Sequence, residues 1–247
     1  MSSLKNVIRF TINKMGYDLR RRRDSPALTW LGLPLRKIKL VVDVGANRGQ
    51  FAKRALKAFP GARIHCYEPL PGPYAELRKW AITQANVVTH QMALGDRNGT
   101  GLFLMHVDHD YSSSLLDATA ECKLLYPKTT RQTTIEVPIS TLDDEFPTPM
   151  GDGVLLKLDV QGFEDRVIRG GAEFLKQVDV VITEYSVVPL YEQQAKFSEI
   201  CQALNSSDLI YAGNFDQVHS EYGEVLYLDA VFIRRSKIMQ EMIKVSA

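Results

Sequence analysis

Between residues 38 and 92, short β-rich runs alternate with amphipathic segments, and few folds accept that alternation. Residues 38–44 read as a strand, and Gln50 to Phe59 as a helix with Phe51, Ala55, Leu56 and Phe59 on one side, closed by Pro60-Gly61. Arg63 to Tyr67 repeats the strand, Tyr74 to Ile82 the helix, and Val87 to Met92 supplies a third strand. A chain that returns to a strand after each helix builds a parallel sheet with helices on both faces. Two alternating runs at 100–107 and 133–139, separated by a polar segment from His109 to Arg131, read as a β insertion after the third strand. The rhythm resumes with a strand at Val154 to Leu158, a helix from Glu164 to Lys176, a strand at Val178 to Thr183 and a helix near Ala195 to Leu204. Leu209 to Ala212 and Val225 to Ile233 are joined by a loop suited to an antiparallel hairpin. The expected fold is α/β and Rossmann-like, a mostly parallel seven-stranded sheet whose final strand is antiparallel.

With 247 residues, 45% of them apolar, the chain suits one substantial core and an appendage. Charge locates the appendage. Residues 1–40 hold ten basic side chains against Asp18 and Asp24, a net +8 in a chain whose total is +1. The rest is therefore acidic at −7 and carries no Asn/Asp-Pro-Pro-aromatic motif, which argues against a nucleic-acid partner. The chain divides into a basic amphipathic arm (1–37), the α/β domain (38–235) and a C-terminal tail (236–247). In the arm Leu4, Val7, Ile8, Thr11, Ile12 and Met15 share one face and Arg20 to Arg23 form a basic run. That pattern suits peripheral contact of residues 1–23 with anionic lipid, docking on the domain or a partner, or a mitochondrial targeting peptide. No apolar run approaches the roughly 18 residues of a membrane span. Cys66, Cys122 and Cys201 form no Cys-x-x-Cys pair, and no signal-peptide core is present. A cytoplasmic protein, at most peripheral to a membrane, is expected.

In a parallel sheet, ligands bind beyond the carboxyl ends of the strands. The first strand ends at Asp43 and runs into Gly45-Ala46-Asn47-Arg48-Gly49, where two glycines permit a tight turn and the following helix points its free amides at a ligand. A dinucleotide site would show Gly-x-Gly-x-x-Gly; here an acid leads the loop and the third glycine is missing. Asp43 disfavours phosphate and suits a ligand bearing an ammonium group, as S-adenosylmethionine does. Glu68, ending the second strand, can accept both hydroxyl protons of a ribose. Asp96, after the third, is a candidate acceptor for an adenine amino group. A dinucleotide-dependent oxidoreductase is the alternative enzyme, and a noncatalytic membrane-associated binding protein the alternative outside enzymes.

These residues, with others in the same order, resemble the FkbM-like methyltransferases. The resemblance covers about residues 38–235. It rests on Val-Asp-Val-Gly-Ala-Asn-Arg-Gly at 42–49, Tyr-Glu-Pro at 67–69, Ala-Leu-Gly-Asp at 93–96, Ser-Ser-Ser-Leu at 112–115, Thr-Leu-Asp at 141–143 and Leu-Lys-Leu-Asp-Val-Gln-Gly-Phe-Glu at 156–164. It implies a class I methyltransferase fold, S-adenosylmethionine as donor, and transfer to a hydroxyl of a glycan, glycolipid or polyketide-like product. Family members often carry glutamate where this chain has Gln161.

The fourth strand ends at Lys157-Leu158-Asp159 and the fifth at Thr183-Glu184-Tyr185, so Asp159 and Glu184 are expected side by side. Methyl transfer to a hydroxyl needs a base and accurate positioning. One carboxylate can serve as base while the other orients a sugar, or both can hold Mg2+. Alternatively, Asp159 caps the next helix and Glu184 pairs with Lys157. His106, leading toward Ser112 to Ser114, is a further candidate base. The partner expected is a small-molecule or lipid-linked glycan substrate.

Overall fold

The computed structural model describes residues 36–246, together with residues 8, 10–12, 14–16 and 33. Most of the basic arm, including Lys5 and Arg20 to Arg23, lies outside the described residues.

The sheet expected from the alternation forms from β1 (Leu40–Val44), β2 (Arg63–Tyr67), β3 (Val87–His90), β7 (Val154–Leu158), β8 (Val180–Ser186), β9 (Leu209–His219) and β10 (Val225–Arg234). Its order is β3-β2-β1-β7-β8-β10-β9. β10 pairs antiparallel with both β8 and β9, and every other pairing in this sheet is parallel. The order reverses between β1 and β7, which opens a crevice at their carboxyl ends.

Side-chain alternation divides the core between the two faces. Val41, Ile64, Leu155 and Ile182 pack with Ala52 and Ala55 of α1 (Gln50–Ala58) and Leu77 of α2 (Pro71–Ala81). Val42, Val44, Leu156 and Val181 face the other way, toward Val167 and Ile168 of α5 (Glu164–Arg169) and Ile200 and Leu204 of α6 (Phe197–Ser206). Strands buried on both faces read as continuous apolar runs, as 154–158 does. α2 starts three residues before the predicted Tyr74, because Pro71 at a first helical position has no amide to leave unpaired.

The predicted helix 164–176 is shorter than its periodicity suggests. It stops at Arg169 and continues as a 3-10 turn over Phe174–Gln177. A Cβ on Gly170 would lie 1.9 Å from the Gly95 carbonyl oxygen, so the chain is pressed backbone to backbone there. The third predicted strand is also shorter than expected. It stops at His90, and Ala93–Leu94, just beyond its expected end, form β4, which joins β5 (Gly99–His106) and β6 (Gln132–Ser140) in a separate sheet ordered β4-β6-β5. This is the expected insertion, with its own small core of Leu70, Ala93, Phe103 and Val137. Between β5 and β6 lie a 3-10 turn (Asp110–Ser112) and α3 (Ala120–Leu125). After β6 comes the single-turn α4 (Leu142–Glu145), and the C-terminal segment forms α7 (Arg235–Ser246).

Candidate active site

A cavity of about 330 Å³ opens at the carboxyl ends of β1, β2, β7 and β8. Asp43, Gly45, Asn47, Glu68, Asp159 and Glu184 all line it. The sequence therefore brings six of its nine candidate residues to one place.

Asp43 is 1% exposed, and its Oδ2 has no hydrogen-bond partner among the described residues. An unpaired buried carboxylate oxygen is costly, and a positively charged ligand in the adjoining cavity would offset that cost. Burial first, then the charges of Asp159 and Glu68, push its pKa up to about 7 against the opposing pull of Lys157. Glu68 is tied down on both oxygens: Oε2 accepts from the Asn47 amide and Oε1 from the Leu70 amide, each at 2.8 Å. Burial nevertheless raises it to about 7. Each oxygen keeps a second lone pair, so a diol can still bind. Gly45 adopts φ 80°, and a Cβ there would lie 1.9 Å from the Asp159 carbonyl oxygen. Only glycine lets β1 turn so close to the end of β7. An adenosine cofactor with an ammonium group fits these donors and acceptors.

The loop before α1 is itself held by backbone hydrogen bonds. Its amides do not face the ligand: Gly45 and Ala46 donate to the Tyr67 carbonyl at 3.0 and 2.9 Å, and Asn47 donates to Glu68. The loop is thus fastened to the end of β2 and presents side chains rather than free amides.

Gly49, Asp96 and His106 do not reach the cavity. Gly49, at φ 80°, lies under Leu77 and Trp80 and shapes the entry to α1. Asp96 follows β4 into the second sheet and lines a separate depression, with the Arg169 guanidinium 3.9 Å away. His106 is buried within the insertion, where Nδ1 lies 2.7 Å from Ser112 Oγ and the Gln132 amide nitrogen lies 2.9 Å from Nε2. Burial lowers its pKa, and both ring nitrogens are occupied, so it is a structural histidine.

At the other end of the cavity, Gln161 joins the two expected acids. Its Nε2 donates to Asp159 Oδ1 at 2.8 Å and to Glu184 Oε1 at 3.0 Å. Tyr191 Oη lies 2.8 Å from Gln161 Oε1 and 2.8 Å from the Ser112 carbonyl oxygen, and Ser114 Oγ donates to the Gln161 carbonyl at 2.7 Å. Gln161 itself holds φ 55°. Burial and the adjacent Asp159 raise the pKa of Glu184 well above the usual carboxylate range. The pairing of Lys157 with Glu184 alone does not occur; its ammonium contacts Asp159 Oδ2 at 3.2 Å and Asp229 Oδ1 at 3.4 Å. Tyr185 packs on Phe197, ring centroids 5.1 Å apart.

Lys157, expected only as a partner of Glu184, lines the cavity together with Asp229 and Tyr111, and Arg48 lies just outside its lining. Arg48 donates to both oxygens of Asp110 and lies 5.1 Å from the Tyr111 ring centroid, binding the cofactor loop to the insertion. The signal for Asp229 was present: an acid interrupting the apolar run Leu228 to Ile233, as Asp43 interrupts β1 and Lys157 interrupts β7. Among the described residues, no group of three or more His, Cys, Asp or Glu side chains is arranged to hold a metal ion. The Gln161 amide nitrogen already bridges Asp159 and Glu184, and the Lys157 ammonium takes the other Asp159 oxygen, so the expected pair does not fit Mg2+.

Strand order and cavity together define the class I methyltransferase architecture. Residues 43–211 match the methyltransferase FkbM domain, and the chain belongs to that family. It is an S-adenosylmethionine-dependent methyltransferase. The 2-O-methyltransferase NoeI of Sinorhizobium fredii (strain NBRC 101917 / NGR234) is 30% identical over 177 residues, covering 69% of this chain and 73% of that protein. The 31-O-demethyl-FK506 methyltransferase FkbM of Streptomyces tacrolimicus is 44% identical over 62 residues, 25% of this chain and 22% of that one. Among solved structures, magnesium protoporphyrin IX methyltransferase from Synechocystis PCC 6803 with bound SAM aligns at a TM-score of 0.44 and 12% identity, covering 92% of this chain and 96% of that one. Likeness at that distance says nothing about the acceptor.

Proposed function

We propose that the enzyme methylates a hydroxyl of a glycan, glycolipid or related metabolite, with Glu184 as the base. The observation that carries this is the Gln161 bridge, which holds one strongly basic carboxyl group, Glu184, beside a second, Asp159, at the end of the cavity away from Glu68. Two hydrogen-bonding carboxylates suit a hydroxylated acceptor, and the relatives' names, a 2-O-methyltransferase and a 31-O-demethyl-FK506 methyltransferase, agree in transferring to oxygen.

The cofactor supplies, when bound, a methyl group on a positively charged sulfur. Asp43 and Glu68 hold its ammonium and ribose groups. Asp159 accepts a hydrogen bond from the acceptor and lines up the reacting oxygen. Glu184 takes the hydroxyl proton as the oxygen–carbon bond forms and the sulfur–carbon bond breaks. A raised pKa makes Glu184, once ionised, the stronger base, while Asp159, fixed by Lys157 Nζ at 3.2 Å, orients the acceptor.

The test uses labelled S-adenosylmethionine with a panel of methyl glycosides and glycolipid extracts. Label recovered as an O-methyl sugar, lost in Glu184→Gln while S-adenosylhomocysteine still binds, supports the assignment. Label on nitrogen or carbon would overturn it.

Cytoplasmic residence, with peripheral contact through residues 1–23 to anionic lipid, is part of the same proposal and rests on the basic arm. Among the described residues, no helix is long and apolar enough to cross a membrane.

A further inference from the structure

Four strands each place one ionisable residue on the same face of the sheet, at its carboxyl end. Asp43 and Lys157 are register partners across β1 and β7. Lys157 is opposite Ile182 of β8, two residues before Glu184, and Glu184 is opposite Asp229 of β10. Across the sheet the charges run negative, positive, negative, negative, and Asp159 follows just beyond β7. Like charges directly opposed in an antiparallel pair repel when both are ionised, so a cation nearby stabilises Glu184 and Asp229 in that state.

Lys157 is that cation. Its Nζ lies 3.2 Å from Asp159 Oδ2, 3.4 Å from Asp229 Oδ1 and 3.4 Å from the Leu158 carbonyl oxygen, on a side chain 6% exposed. Burial works against its charge, but Asp159, Asp229 and Glu184 outweigh burial and keep the ammonium protonated. An ammonium offers three donors, and three oxygens surround this one. A magnesium ion needs near-octahedral oxygen ligands at about 2.0–2.1 Å. The place where it would bridge Asp159 and Asp229 is filled by Nζ.

We propose that Lys157, clamped between Asp159 and Asp229, is the resident cation of the acceptor site and makes methyl transfer independent of a divalent metal. The inference rests on Glu184 as the proton acceptor. Lys157 fixes one oxygen of Asp159, leaving the Gln161 bridge to fix the other, and it keeps its own proton throughout. Asp229 is a positioning residue that acts through Lys157 and through its charge beside Glu184.

The full-length enzyme is freed of metal with a chelator, and Mn2+ binding is followed by electron paramagnetic resonance in wild type, Lys157→Met and Asp229→Asn. Turnover is read with the methyl glycoside that the labelling screen selects. Wild type should keep its rate after chelation and bind no Mn2+ at this site. Lys157→Met should lose about 100-fold in turnover, gain Mn2+ binding, and hold S-adenosylhomocysteine within about threefold of wild type. Asp229→Asn removes a negative charge beside Glu184, so the acid limb of its pH–rate profile should move to lower pH. Loss of wild-type turnover on chelation with recovery on adding Mg2+ or Mn2+ would overturn the proposal. So would a folded Lys157→Met that binds no Mn2+, or an unmoved limb in Asp229→Asn. Failure of the wild type to bind S-adenosylhomocysteine, or to methylate any hydroxyl, would instead defeat the underlying functional assignment.

Discussion

Arg48 and Asp110 form a two-pronged ion pair, with guanidinium-to-carboxylate distances of 3.1 and 2.6 Å, between the cofactor loop and an insertion 62 residues away in sequence. Both side chains are about three-quarters covered, so solvent screening leaves the pair worth roughly 1 kcal/mol. Asp110→Ala should therefore change thermal stability little. It should loosen the insertion over the cofactor and weaken S-adenosylhomocysteine binding by about fivefold, mostly through faster release. Calorimetry and stopped-flow fluorescence read the two quantities, and unchanged release would show that the clasp does not govern cofactor retention.

The cofactor acids make binding depend on pH. Asp43 and Glu68 both titrate near 7 in the fold against 3.8 and 4.5 as free groups. Because the folded carboxyls hold their protons more tightly, they favour the fold at low pH. That contribution is lost as pH rises from about 4 through about 7. A bound ammonium group reverses the penalty on Asp43. The rise in Tm produced by S-adenosylhomocysteine should consequently be larger at about pH 8 than at about pH 5.5. An equal rise at both would contradict the role given to the unpaired Asp43 oxygen.

Substitutions separate cofactor binding from chemistry. Asp43→Ala and Glu68→Ala should reduce S-adenosylhomocysteine affinity, measured by calorimetry. Asp159→Asn should spare it and lower kcat by about 100-fold, since an orienting group acts mainly in the transition state. Wild-type turnover in Asp159→Asn would remove that residue from the chemistry.

Two glycine substitutions test the packing of the insertion on the domain. Gly170→Ala drives a Cβ into the Gly95 carbonyl, whereas a Cβ at Gly61 meets nothing within 4 Å. The first should cost about 3 kcal/mol or more and the second well under 1 kcal/mol, by urea denaturation. Equal midpoints would mean that the 95–170 contact relaxes freely.

Residues 38–67 and 154–158 were legible because apolar runs, a turn glycine and a terminal acid agree with one another over each short stretch. Their strands match the predicted bounds closely. The separate strand at Ala93–Leu94 was not legible, since two apolar residues directly after an expected strand carry no local sign that the chain has changed sheet. Asp96 was misplaced by that change of sheet. It does follow a strand, but one that leaves the crevice. His106 illustrates a different limit: a histidine near a serine cluster looks the same in sequence whether its ring faces a cavity or hydrogen-bonds inward. Asp229 was readable in principle, yet an acid inside an antiparallel strand gains meaning only when β10 is known to lie against β8.

That last placement sets a timetable for the enzyme's birth. β10 is the final strand to leave the ribosome, yet it occupies an interior position, and β9 has no other neighbour in the sheet. β1, β2, β7 and β8 all precede Asp229 in the chain and pair without β10. Until β10 arrives, β8 has an open edge, Lys157 lacks one of its counterions, and Glu184 faces no partner strand. A chain terminated before residue 229 would leave the edge of β8 uncovered and be a natural client for chaperones.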